Sequence, residues 1–533
     1  MWCAMQSIVT NACRHPCVAG PDSSLASASR GCTLQGMVLR AHAFALIGLD
    51  AVPVEVEVHV TTAPKLPTFT IVGLPDKALQ EARARIRSAA ACAGVPIHES
   101  AVLVNLAPAE VRKEGAGFDL PMALAILAGH GKVAAELVDE VAATGELAFD
   151  GRLRPVPGVL AVAEAAVRQG LRTLLCPEAS AAEAALVPGC NPIGCATLGE
   201  AVRILNGEAS PRPLRAVPPP APPVVADLAD VRGQPSARRC LEICAAGDHN
   251  LLMVGPPGVG KTMLARRLPG ILPPLDDPLA LLVTRIQSAA GTLEAGSGLV
   301  RVPPFRAPHH SATTAALVGG GSRIRPGEVT LATGGVLFLD ELPEFRRDAL
   351  EALRVPLEDG VVRISRVSGS VLLPARFALI AAMNPCPCGS PEPSACTCTR
   401  GRIEAYQRKA SGPLLDRIDV GVRLGRPDPE VLHADRPEAP AQVRERVLAA
   451  RRRQAVRGVV NGRLPVDRLA DLAEPDEEGR RMLQLAARRL LLSPRGVHRV
   501  LRVARTIADL AEEDEVRGCH VAEALALRLG SVA

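Results

Sequence analysis

Residues 251–262 read LLMVGPPGVGKT, and this stretch decides the fold. Leu251-Leu252-Met253-Val254 have the length and composition of a buried strand, and Gly255 to Thr262 fit the pattern G-x-x-x-x-G-K-[ST]. Met263 to Leu268 then step like a helix with an apolar face. Strand, glycine-rich turn and helix in that order aim consecutive backbone N–H groups and a helix N-terminus at a polyphosphate. Gly255, Pro256, Pro257, Gly258, Val259 and Gly260 would form the cradle, with glycines where the backbone must curl. Lys261 would reach the β and γ phosphates of a nucleotide. Thr262 would offer its hydroxyl to Mg²⁺, a hard ion that takes oxygen ligands beside the phosphates.

Downstream, Gly335 to Leu339 (GVLFL) is a second apolar strand, and it ends in Asp340-Glu341. That pair divides the labour of phosphoryl transfer: Asp340 holds a metal-bound water while Glu341 polarises the attacking water. A third strand, Phe377 to Met383, terminates at Asn384, a neutral group placed to orient water near the γ-phosphate. Further on, GPLLDRIDV sets Arg417 between Asp416 and Asp419. An arginine so flanked is either a salt-bridged surface residue or, in a ring, a charge that reaches the neighbouring subunit's nucleotide.

The chain has 533 residues, too many for one hydrophobic core, so about two to four domains are expected. Its apolar runs are too short to span a membrane. With 61 Lys+Arg against 56 Asp+Glu the formal charge is only +5, so contact with nucleic acid must come from local clusters. Eight Phe, one Tyr and one Trp leave little for stacking on bases, so such contact would fall on phosphates. Fifteen cysteines without a signal-peptide pattern point to reduced thiols and a cytoplasmic protein. Residues 1–36 carry four of those cysteines and no hydrophobic period, and read as a disordered or mis-assigned extension before Met37.

From residue 37 to about 208 the reading is an α/β domain. Val54 to Val60 (VEVEVHV) alternates as a strand with Glu55, Glu57 and His59 on the open face, and Thr68 to Val72 and Ala101 to Leu106 read as further strands. Helices are expected over Lys77 to Ala93, Leu120 to Ala128 and Gly158 to Gly170. Residues 209–225 are proline-rich and read as a linker. The phosphate loop opens a second module, with a core over 226–430 and a C-terminal helical part over 431–533.

Two C-x-C pairs, Cys386/Cys388 and Cys396/Cys398, bracket seven residues. They either supply four thiolates to a structural Zn²⁺ or form a metal-free thiol-rich loop. Leu357 to Leu373 reads as a hairpin with its turn near Ser368-Gly369, offering Arg363 and Arg366 to phosphates. Arg306, His309, His310, Arg323 and Arg325 form a second polar cluster, in which the adjacent histidines would diverge on a strand and favour polar contacts over a metal. Arg444, Arg446, Arg451, Arg452, Arg453 and Arg457 lie on one basic helix, which is either a solvated face or a phosphate contact. None of these clusters has the pattern of a base-reading motif.

These motifs together resemble the AAA+ superfamily, and specifically its magnesium-chelatase-like YifB/ComM family. The resemblance rests on residues 228–275 (LADVRGQPSARRCLEICAAGDHNLLMVGPPGVGKTMLARRLPGILPPL), 304–345 (PFRAPHHSATTAALVGGGSRIRPGEVTLATGGVLFLDELPEF), AAMNPCPCG, SGPLLDRIDV and SPRGVHRVLRVARTIADL. It implies Lys261 and Thr262 as the Walker A pair, Asp340 and Glu341 as Walker B, and Asn384 as sensor 1. It further implies Arg417 as an arginine finger acting in trans and Arg495 as sensor 2 on a helical lid, with Arg499 the alternative for that role. FTIVGLPD, VRKEGAGFDLPMALAILAG and GRLRPVPGVLAVAEAAVRQGLRTLLCPE resemble the Lon-protease-like domain of the same family. A working peptidase of that type needs a serine beside a lysine, yet Gly115-Ala116-Gly117-Phe118 contains no serine and 151–170 no lysine, so this domain is expected to be non-proteolytic. The resemblance implies a homo-hexameric ring that uses ATP and Mg²⁺, a hairpin pointing into its pore, and DNA branch migration in natural transformation through sequence-independent contacts. A metal-insertion or partner-remodelling ATPase is the alternative, although such a subunit normally lacks the Lon-like domain. An ATP-dependent protease is disfavoured by the missing Ser–Lys pair.

Overall fold

The computed structural model describes residues 38–62, 67–95, 97, 100–214, 227–321, 324–366, 369–390, 396–410, 412–426, 430, 435 and 437–528. The expected N-terminal extension, most of the proline-rich linker, Arg323 and the hairpin turn at Ser368 lie outside the described residues.

Two sheets organise the chain. The first has seven strands, in the order Phe69–Val72, Ser100–Ala107, Asp50–Thr62, Leu39–Ile47, Ala142–Ala143, Thr173–Pro177, Asn191–Cys195. Its centre is antiparallel: Asp50–Thr62 pairs with both Leu39–Ile47 and Ser100–Ala107. Val54, Val56, Val58 and Val60 bury one face of that long strand. The expected helices form as Lys77–Cys92, Asp119–Gly129 and Val159–Arg168, the middle one buried on nearly every side. Leu39–Ile47 was not expected as a strand; LRAHAFALI lacks the strict alternation that marked its partner.

The second sheet is parallel, in the order Phe305–Arg306, Val336–Leu339, Ala378–Met383, Leu251–Val254, Val420–Arg423. Leu251–Val254, Val336–Leu339 and Ala378–Met383 are buried along their whole length, as near-continuous apolar runs require. Their carboxyl ends converge on one edge, and the phosphate loop, Asp340 and Asn384 all follow directly from them. The helix expected over Met263 to Leu268 is split into Lys261–Ala265 and Leu268–Ile271. Pro269 is the reason: it lacks an N–H and its ring clashes with the carbonyl one turn back. The helices Pro440–Arg457, Glu477–Arg489, Pro494–Leu510 and Gly518–Ala526 pack with Pro235–Gly247 behind this sheet.

Helix Asp277–Ala290 joins the two halves. Arg285 donates to the Leu49 carbonyl at 3.0 Å, bonds Asp50 and lies 3.4 Å from Glu164, while the Ser288 hydroxyl bonds Glu183. The hairpin begins later than expected, because 357–359 close the helix Arg354–Asp359. Its strands are Val361–Arg366 and Gly369–Pro374, and Val371 and Leu373, on one face, pack against the turn at Gly48-Leu49. Arg363 and Leu372, paired on the opposite face, are exposed. No helix among the described residues is long and apolar enough to cross a membrane.

Candidate nucleotide site

The phosphate loop leaves the buried end of Leu251–Val254 and turns into helix Lys261–Ala265. Gly260 caps that helix at φ +94°, a left-handed backbone in which any side chain would be strained. Lys261 is only 9% exposed, and its ammonium donates to the Gly255 carbonyl at 2.6 Å, the Pro256 carbonyl at 2.9 Å and Asn384 Oδ1 at 3.0 Å. Burial holds its pKa below the ordinary lysine value, with the charges of Asp340 and Glu341 opposing that shift. The ammonium thus sits desolvated over the cradle, where an incoming phosphate would supply the charge it lacks. The Thr262 hydroxyl donates to Asp340 Oδ2 at 2.6 Å. Hydroxyl and carboxylate in direct contact at the mouth of the loop are a donor set suited to a small hard cation that keeps several waters.

Glu341 follows with φ +52°, a conformation that costs a non-glycine residue about 1–2 kcal/mol. Its N–H donates to Asp340 Oδ1 at 2.9 Å, which holds the Asp340 carboxylate against the Glu341 backbone. Glu341 Oε2 lies 3.2 Å from His310 Nδ1, and the His310 ring meets Phe345 edge-on at 6.5 Å. The adjacent histidines do not diverge. They lie in a turn with ring centroids 4.1 Å apart, and His309 pairs with the Ser311 hydroxyl at 2.8 Å. His310 was expected among the DNA contacts, whereas the fold brings it to the Glu341 carboxylate. On the other side, buried Tyr406 lies against the backbone of Asn384; burial pushes its phenol up to about 12, so it stays neutral.

Three stretches match known families: residues 56–180 match "Subunit ChlI of Mg-chelatase", 227–432 match "Magnesium chelatase, subunit ChlI", and 437–528 match "Magnesium chelatase, subunit ChlI C-terminal". The uncharacterized protein YifB of Escherichia coli is 41% identical over 493 residues, covering 91% of this chain and 96% of its own. The competence protein ComM of Haemophilus influenzae is 42% identical over 492 residues, with the same coverage of 91% and 96%. This chain belongs to the magnesium-chelatase-like YifB/ComM family. Membership implies an AAA+ ATPase that uses ATP and Mg²⁺, and the parallel sheet with its loop is the architecture such an enzyme requires. A shorter stretch of 139 residues, 26% of the chain and 15% of the relative, is 31% identical to the DNA replication licensing factor MCM3 homolog 1 of Zea mays.

In this YifB/ComM chain Arg417, Arg495 and Arg499 stand away from the phosphate loop of their own chain. Asn250 and Asp419 precede the strands Leu251–Val254 and Val420–Arg423, so they mark the sheet edge opposite the phosphate loop, about 13 Å away for four strand residues. Arg417, Arg495 and Arg499 line a cavity of about 550 Å³ at that edge. Arg417 is bound to Glu358 Oε1 at 2.6 Å and to the Pro413 carbonyl at 2.7 Å, and Arg495 lies 3.6 Å from the same Glu358 oxygen. Arg499 is 3.5 Å from Asp419 Oδ1. Within one chain neither Arg417 nor Arg495 is brought to Lys261. Asn250 was missed in the sequence although it orders this edge: it donates to the Arg417 carbonyl at 2.9 Å and accepts from the Leu379 N–H at 2.9 Å.

The four cysteines do come together. Cys386, Cys388, Cys396 and Cys398 place their sulfurs within 4.8 Å of one another, a cluster that could hold a metal. A hydrogen bond from the Ser390 backbone, helped by the neighbouring thiols, pulls Cys388 down to about 6.

The basic helix is neither a solvated face nor a free phosphate contact for most of its length. Arg446 pairs with Glu242 at 2.6 Å and Glu438 at 2.7 Å, Arg451 donates to the Ala245 carbonyl at 3.0 Å, and Arg453 and Arg457 turn to Asp509. Arg444 and Arg452 are exposed. Arg306 is committed to Glu328 by two bonds, at 2.7 and 2.8 Å, whereas Arg325 and Arg363 are exposed.

Proposed function

We propose that the chain is a cytoplasmic AAA+ motor that assembles as a homo-hexameric ring, hydrolyses ATP between subunits and drives branch migration of DNA recombination intermediates during natural transformation. The observation that carries the ATPase reading is the contact set Lys261–Asn384 and Thr262–Asp340 at one edge of a parallel sheet. In this reading 255–260 cradle the phosphates, Lys261 neutralises them, and Thr262 and Asp340 hold Mg²⁺. Glu341 polarises water and Asn384 senses the γ-phosphate.

The arginines support the ring reading. Arg417 and Arg495 lie at the sheet edge opposite their own phosphate loop, so they can serve a nucleotide only if a second copy docks that edge against its loop. In this reading Arg495, the expected sensor 2, acts from the same edge as Arg417. The DNA task is supported by the likeness to a competence protein and, over a shorter stretch, to a DNA replication licensing factor. Exposed Arg363 and Arg325 would supply sequence-independent phosphate contacts. Alongside ATP and Mg²⁺, the cysteine cluster would hold Zn²⁺.

The test is conversion of a labelled four-way DNA junction into duplexes. Conversion that requires hydrolysable MgATP and fails with Lys261→Ala supports the reading; an intact junction under conditions where the protein hydrolyses ATP refutes the DNA task. The second reading is ATP-driven metal insertion or partner remodelling, which the descriptions of all three matching stretches favour. ATPase activity unmoved by DNA is the result that would select it.

A further inference from the structure

We propose that Cys386, Cys388, Cys396 and Cys398 hold one Zn²⁺ as a closed tetrathiolate site, and that this ion braces the phosphate loop against which the cysteine loop is packed. The first half rests on the sulfurs alone; the brace rests on the nucleotide reading under Proposed function.

The sulfur geometry fits a single ion. Zinc–thiolate bonds of about 2.3 Å put the edges of an S₄ tetrahedron at about 3.8 Å. The observed separations are 3.2 Å for Cys386–Cys388, 3.6 Å for Cys388–Cys396 and 3.6 Å for Cys386–Cys396, with the whole set inside 4.8 Å. A disulfide would bring two sulfurs to about 2.05 Å and leave the other two aside. Thiols can hydrogen-bond across these distances, but four thiolates repel one another, so in its ionised form the convergence is held only by a cation at its centre. Soft sulfur ligands in a tetrahedron select zinc or iron–sulfur chemistry. A cluster of several irons spreads its cysteine sulfurs further apart than one ion does, and this spacing therefore favours zinc. Four protein ligands leave no open position, so the ion's role is structural.

The site touches the nucleotide machinery at two points. Asn384, which accepts from Lys261, stands two residues before Cys386. Gly389, directly after Cys388, has φ +65° and lies so close to the phosphate loop that a Cβ there would sit 2.9 Å from Pro257 Cγ and 3.0 Å from its Cδ. Between these contacts, Gly255 and Pro256 face Cys386, Cys396 and Cys398 across a cleft of about 390 Å³. An ion that fixes the segment 386–388 therefore fixes both the Asn384 amide and the surface on which Pro257 rests. By linkage, the metal tightens nucleotide binding and nucleotide tightens metal binding by the same factor.

The experiment takes full-length protein, measures its zinc and iron by mass spectrometry, and titrates it with a fluorescent ATP analogue. About one zinc per chain is expected, with Cys388→Ser and Cys398→Ser both near zero and Cys519→Ser, at an exposed thiol on another helix, fully loaded. Nucleotide affinity should fall by at least about fivefold in the two zinc-free variants. If those variants do not fold, the wild-type ion is released with a mercurial and a chelator, and affinity is followed as zinc is added back. Iron in place of zinc, or no metal and no uptake of added zinc by reduced protein, overturns the site. Zinc loss without change in affinity overturns the brace. Lys261→Ala should keep its zinc while losing nucleotide; wild-type protein that holds zinc yet binds no ATP would leave the metal site standing and remove the nucleotide reading beneath the brace.

Discussion

Glu341→Gln separates nucleotide binding from chemistry. The exchange keeps shape and removes only the capacity to take a proton. Its structural cost is small: the side chain is 55% exposed, its ion-pair partner among the described residues is His310 at 3.2 Å, and a glutamine oxygen can still accept from that ring. The N–H bond to Asp340 Oδ1 at 2.9 Å belongs to the backbone and survives. Folding stability should therefore stay within about 0.5 kcal/mol of wild type. The Thr262–Asp340 and Lys261–Asn384 contacts do not involve Glu341, so MgATP affinity should also hold. Removal of a general base costs about 10²–10⁴ in rate, or roughly 3–5 kcal/mol in the barrier. The assay pairs steady-state phosphate release with anisotropy of a labelled ATP analogue and a thermal melt. Turnover within about twofold of wild type would remove Glu341 from its role, and equal losses in affinity and in kcat/KM would mean that it binds rather than activates.

Arg417→Ala should abolish hydrolysis by the pure variant, yet regain turnover when mixed with Glu341→Gln subunits, because a ring interface can then combine an intact loop with an intact arginine. No recovery at any mixing ratio would refute action in trans. Asp419→Asn tests the opposite edge of the sheet. Burial, the largest influence on this carboxyl, pushes its pKa up, but His249, the Asn250 N–H and Arg499 outweigh it and hold it below the ordinary carboxylate value. A depressed folded pKa gives stability that is fully present above about pH 3.9, the unfolded value, and is lost as pH falls through the folded one. Asp419→Asn should lose about 3 kcal/mol at neutral pH and show a shallower acid limb in urea melts taken against pH. An unchanged acid limb would mean that Asp419 does not carry that linkage.

The parts of the site that sequence revealed are those whose signal is local. An apolar run closed by a polar residue identifies Leu251–Val254 with the phosphate loop, Val336–Leu339 with Asp340-Glu341 and Ala378–Met383 with Asn384, because a buried parallel strand must be apolar throughout and must expose the residues at its carboxyl end. The contacts that stayed hidden depend on partners far along the chain. Arg446 looks like any basic helix residue until the fold brings Glu242 to it, 204 positions away. Arg306 is drawn from a DNA cluster to Glu328, and His310 to Glu341, by contacts that no spacing encodes. The remote position of Arg417 and Arg495 was likewise unreadable, since each motif names a role but not the sheet edge on which its residue stands. The cysteine pairs show both sides: their spacing suggested a cluster, and only the fold placed it against Pro257.

The most direct test of the central claim is the ATPase rate of purified protein with and without a four-way DNA junction, at low and at moderate salt. An ATP-driven motor that holds DNA by its phosphates should be stimulated by the junction, and the stimulation should fade steeply as salt rises. A rate indifferent to DNA at every salt concentration would contradict the account and leave an ATPase whose work is done on another partner.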